Sequence, residues 1–134
     1  GTMNSTLVGR AGNDFGFKTR YELYENPNTI RDKAAQGAVF TFSVVSGHIA
    51  CVADVTEDGE KCLIIDSAPS ATFERKKDEP VYYLGEDGQY HVADTPADIP
   101  GIEYCIETDS YGCAVYYLEM NYVAQRGVRL IQPR

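Results

Sequence analysis

Residues 38–66 alternate between apolar, β-branched runs and turn residues, and this punctuation is what most restricts the fold. The segments 38–45 (AVFTFSVV), 48–55 (HIACVADV) and 61–66 (KCLIID) each read as a strand. β-Branched and aromatic side chains suit a pleated, half-buried surface. Ser46-Gly47 breaks the first pair, and Glu57-Asp58-Gly59-Glu60 breaks the second, with Asp-Gly as the strong hairpin signal. The third run is apolar enough to lie in the middle of a sheet.

The rest of the chain adds shorter elements. Residues 28–37 read as a helix that Asn28 or Thr29 can cap and Gly37 can end. Residues 67–79 turn polar and suggest an irregular helix. Segments 81–84 and 89–92 flank a second turn at Gly85-Glu86-Asp87-Gly88, and Pro96 to Pro100 form a rigid connection. Residues 101–108 and 128–132 read as strands, while 4–27 have no clear assignment. The segment 113–125 (CAVYYLEMNYVAQ) fits two templates. As a helix it aligns Cys113, Tyr116, Tyr117, Met120 and Ala124 in one stripe. As a strand it alternates Ala114, Tyr116, Leu118, Met120 and Tyr122 with a more polar face. Its length favours the helix, and Gly127 would then end it. The expected fold is α+β: a mostly antiparallel sheet packed on a central helix beginning near Cys113. An all-β sandwich is the alternative. One domain is expected over residues 4–134, with Gly1-Thr2-Met3 read as an expression remnant.

Charge and cysteine usage narrow the function classes. The chain of 134 residues carries a formal net charge of −8, which disfavours nucleic acid and anionic membranes as partners and suits a basic protein. No apolar run approaches the roughly 18 residues of a membrane span. The four cysteines, Cys51, Cys62, Cys105 and Cys113, include no Cys-x-x-Cys, and both histidines are remote from them in sequence. No zinc site or cofactor is expected, and reduced thiols in a cytosolic setting are favoured over disulfides.

One ordered trio carries chemistry. His48 and Asp66 sit at matching ends of the β-hairpin, and Cys113 follows in Glu107-Thr108-Asp109-Ser110-Tyr111-Gly112-Cys113. A thiol, an imidazole and a carboxylate are the parts of a cysteine-nucleophile acyl-transfer site. Cys113 at a helix N-terminus would gain thiolate character, His48 would move the proton, and Asp66 would orient the imidazole. Taken singly, each residue has a plainer reading: a buried thiol, a strand histidine, a turn aspartate. The hairpin imposes a geometric condition. A two-residue Asp58-Gly59 loop puts His48 and Asp66 on opposite faces, whereas a three-residue loop or a bulge near Glu57–Glu60 puts them on the same face.

The segments Gly47-His48-Ile49-Ala50-Cys51-Val52-Ala53-Asp54-Val55 and Cys62-Leu63-Ile64-Ile65-Asp66-Ser67-Ala68, followed by Asp109-Ser110-Tyr111-Gly112-Cys113-Ala114-Val115-Tyr116-Tyr117, resemble the adenain/ubiquitin-like-protease clan of cysteine proteases. That clan includes the YopJ-type effector acetyltransferases. The order His, Asp, Cys matches it. The resemblance implies Cys113 as nucleophile at the head of a central helix, His48 as general base and acid, and Asp66 as orienter. Glu107 stands where the clan has its oxyanion glutamine, although a carboxylate donates a hydrogen bond only when protonated. Ile49 replaces a frequent tryptophan, and Gly112 and Ala114 replace the usual neighbours of the nucleophile. The implied activity is a thiol protease or isopeptidase acting on a peptide or ubiquitin-like tail, with acetyl transfer as the runner-up. The implied setting is the cytoplasm, or host cytosol for a secreted bacterial effector. A non-catalytic β-rich binding domain is the reading from a different class.

Overall fold

The computed structural model describes residues 17–19, 27–45, 48–126 and 128–133. Ten strands are present among these residues: β1 (Phe17–Thr19), β2 (Val39–Val45), β3 (His48–Val55), β4 (Lys61–Asp66), β5 (Val81–Leu84), β6 (Tyr90–Ala93), β7 (Tyr104–Cys105), β8 (Ser110–Tyr111), β9 (Ala114–Glu119) and β10 (Val128–Pro133). Three α-helices accompany them: α1 (Pro27–Ala35), α2 (Pro69–Arg75) and α3 (Met120–Gln125). A 3₁₀ turn covers Pro96–Asp98. The breaks expected at Ser46-Gly47 and Gly127 lie outside the described residues, as does most of 4–27. The described part of 4–27 contains the strand β1, which was not anticipated.

The fold is mixed α+β. Eight strands form one sheet in the order β1-β10-β2-β3-β4-β9-β5-β6, and all of its pairings are antiparallel. β7 and β8 form a separate two-stranded ribbon. One face of the large sheet is the core face. Ala50, Val52, Cys62, Ile64, Tyr116, Leu118, Val81 and Ala93 point into it, joined by Ile30 of α1 and Met120 and Val123 of α3. Close packing there supplies most of the stability, at about 25 cal/mol per Å² of apolar surface removed from water.

The expectation of a helix beginning near Cys113 is corrected. Residues 114–119 are a strand, in register with β4 from Lys61↔Glu119 to Asp66↔Ala114. The alternation is complete: Ala114, Tyr116 and Leu118 are buried, and Val115, Tyr117 and Glu119 are not. A helix here would leave the inner strand β4 with an open edge of unpaired N–H and C=O groups. Helix begins only at Met120, and its Met120 and Val123 then cover the sheet. The strand expected at 101–108 is also corrected. Only Tyr104 and Cys105 pair, with Tyr111 and Ser110, and the intervening residues form exposed turns.

The β3–β4 hairpin meets its geometric condition in an unexpected place. The loop Glu57–Glu60 is even in length and closed by Thr56 N–H to the Lys61 carbonyl, 2.8 Å. Asp58 accepts the Glu60 N–H, and Gly59 takes φ +76°, a value costly for residues with a Cβ. The register shift lies within β3, between Val52 and Asp54. Ala53 is the extra residue of this bulge. Ala53 and Asp54 are both exposed, so Val55 on one side and Val52, Ala50 and His48 on the other all face the core.

Candidate functional site

The bulge at Ala53 brings His48 and Asp66 together. His48 Nε2 donates to Asp66 Oδ1 at 2.7 Å, both side chains being buried. The same oxygen accepts the Ala68 N–H at 2.9 Å. Oδ2 accepts from Thr72 Oγ1 and from Tyr116 OH, each at 2.6 Å. Four donors from β3, the β4–α2 junction, α2 and β9 thus converge on one carboxylate, which has about four lone-pair sites to offer.

The electrostatics follow from this wiring. Burial by itself would raise the Asp66 carboxyl. The hydrogen bonds from His48, Thr72, Tyr116 and Ala68 outweigh it and hold the group below the usual carboxylate range. Burial first, and the Asp66 charge second, push the Tyr116 phenol well above its ordinary value, so Tyr116 remains a donor. An ionised Asp66 only accepts, which fixes the His48 proton on Nε2.

Cys113 is not drawn into this cluster. It is exposed and immediately precedes β9, next to Ala114, which faces the core beside Asp66. Successive strand residues point to opposite faces, so the Cys113 side chain belongs to the outer face. Its electrostatic neighbour there is Cys51, whose thiol is raised by burial and then by Cys113. β4 lies between β9 and β3. The His48 imidazole is bonded to Asp66, and among the described residues no hydrogen bond joins it to the Cys113 thiol, the contact that a resting thiol–imidazole pair would make. Glu107 lies in the exposed turn between β7 and β8 and accepts the Cys105 thiol at 3.3 Å. A local backbone N–H and that thiol hold its carboxyl below the ordinary range, so it is an acceptor, unsuited to receiving an oxyanion. All four cysteines are free. Burial pushes Cys62 up to about 12, with Asp54 adding to the effect. Among the described residues, no group of three or more His, Cys, Asp or Glu could hold a metal ion.

The outer face of the sheet carries the feature that reading the sequence missed. From β4 through β9 and β5 to β6 it presents Ile65 (41% exposed), Val115 (50%), Leu84 (48%), Tyr90 (41%) and Val92 (54%). The register joins them: Ile65↔Val115, Tyr82↔Tyr117, Tyr82↔Val92 and Leu84↔Tyr90. An antiparallel sheet with one wet face normally alternates apolar and polar residues. The available signal was that KCLIID and AVYYLE are apolar at both parities. A shallow cleft of about 220 Å³ opens in this face between the end of the β3–β4 hairpin and Tyr90 and Tyr117.

No family model, curated protein or solved structure matches the chain. Among the described residues, no helix is long and apolar enough to cross a membrane.

Proposed function

We propose that this chain is a non-catalytic protein-binding domain that docks a polypeptide partner on the outer face of β4, β9, β5 and β6. The observation that carries this reading is the contiguous exposed apolar surface of Ile65, Val115, Leu84, Tyr90 and Val92. Apolar patches of this kind on water-facing surfaces mark interaction sites. The formal charge of −8 suits a basic partner. Four free thiols suit a reducing compartment such as the cytosol. The acyl-transfer reading has its His48–Asp66 pair, but among the described residues no thiol is hydrogen-bonded to the imidazole. The hydrogen-bonded carboxylate acts instead as a clamp between three strands and a helix.

Two measurements test the reading. In the first, a random peptide library is selected on the full chain and the bound peptides are mapped by amide shifts. Shifts at Ile65, Val115 and Tyr117 that vanish in Val115→Lys support it; selection of no peptide, or of peptides mapping elsewhere, overturns it. In the second, Cys113 alkylation is timed in the parent and in His48→Gln, which keeps a donor at Asp66. Rates within about twofold are expected, because the His48 imidazole is bonded to Asp66 and not to the thiol. A tenfold fall in the variant would restore the catalytic reading.

A further inference from the structure

The cleft in the docking face is lined asymmetrically in charge. Asp54 and Glu57 supply two carboxylates, Tyr90 and Tyr117 two aromatic rings, and Leu63 an apolar floor, and no cationic side chain is among the lining residues. The rings are set edge to face, with centroids 5.1 Å apart, Tyr90 reaching back from β6 toward β9. Asp54 is on this face because the Ala53 bulge fixes the register, pairing it with Leu63. Its carboxylate accepts the Val55 N–H at 2.8 Å, which holds it at the rim.

This chain's own ammonium group shows what the aromatic wall attracts. The same tyrosine cluster already holds an ammonium group, since Lys61 Nζ lies 5.0 Å from the centroid of Tyr82 and 5.0 Å from that of Tyr90. Aromatic faces within about 6 Å attract cations. The other nearby cation, Arg31, is committed to the Glu57 carbonyl and to Asn28 Oδ1, so the carboxylate of Glu57 is not its partner in those bonds.

We propose that this cleft takes a cationic side chain, the guanidinium of arginine or the ammonium of lysine, from the partner polypeptide. The inference rests on the docking reading and names the chemistry of what docks. The apolar surface around Ile65 and Val115 supplies contact area, and the cleft supplies selectivity. Carboxylates with aromatic walls distinguish a cation from a neutral side chain of similar shape.

Three short peptides titrated into the full chain test this: acetyl-Leu-Arg-Leu-amide, its lysine counterpart and its citrulline counterpart, followed by amide shifts. Citrulline keeps the size of arginine and loses the charge. At least one of the two cationic peptides is expected to shift Asp54, Leu63 and Tyr117, and to bind about tenfold or more tightly than citrulline. Asp54→Asn, which keeps the acceptor for Val55, and Glu57→Gln are each expected to reduce that preference severalfold. Equal binding of citrulline, or a preference unchanged in both variants, overturns the inference. If all three peptides shift Ile65 and Val115 equally, the docking reading survives and the cationic pocket does not. If none perturbs the outer face, the cationic pocket falls. The docking reading is then decided by its own library selection.

Discussion

Asp66 is the residue on which the local arrangement turns. It is wholly buried and accepts hydrogen bonds from His48, Ala68, Thr72 and Tyr116, so its removal orphans donors in several elements at once. Asp66→Ala is expected to cost about 3–5 kcal/mol in urea unfolding, the range for breaking a buried charged network. The carboxyl titrates below the unfolded value of about 3.9 when folded. Its stabilisation is therefore fully present above that value and is lost as pH falls through the folded-state pKa. Stability between about pH 5 and pH 2 should fall more steeply in the parent than in Asp66→Asn; parallel curves would show that Asp66 is not the titrating group. The sequence made the His48–Asp66 pairing legible through chain order and hairpin spacing. Thr72 and Tyr116 could not be found that way, because their hydroxyls reach Asp66 only after α2 and β9 have packed.

At the scale of elements, the bulge in β3 decides two things at once. It turns His48 to the core, beside Asp66, and leaves Asp54 outside above Leu63. A β-ladder tolerates a one-residue change only by exchanging the two faces. Deletion of Ala53 would then force either Val55 or the set His48, Ala50 and Val52 into water. The deletion is expected to cost more than about 3 kcal/mol, whereas Ala53→Thr at this exposed position should stay within about 0.5 kcal/mol. A urea midpoint for the deletion close to that of the parent would remove the bulge from this role. The need for an irregularity was readable from the parity of His48 and Asp66. Its location was not, since the Asp58-Gly59 turn looks adequate by itself. The segment 113–125 fell between templates for a related reason: Ala114, Tyr116 and Leu118 satisfy a strand, and Met120 and Val123 satisfy a helix. The chain uses both in succession.

For the whole molecule, the unusual property is a sheet apolar on two sides. The core face is covered by α1, α2 and α3, and the face from β4 to β6 leaves Val115 and Val92 about half exposed. The parent is expected to bind the dye 1-anilinonaphthalene-8-sulfonate while folded, and the double substitution Val92→Lys/Val115→Lys should lose most of that fluorescence with little change in urea midpoint. Undiminished fluorescence would mean that this patch is not the exposed apolar surface. By itself the sequence determined the local elements around 28–92, since side-chain period and turn chemistry act over a few neighbouring residues. It also determined the mixed α+β, mostly antiparallel class and the order of His48, Asp66 and Cys113. Only the tertiary structure decided which face each of the three occupies. Face depends on register, and register is set by pairings between β3, β4 and β9 that no short window of sequence contains. That is why an imidazole and a carboxylate meet in the core while the thiol that follows them faces the other side of the sheet.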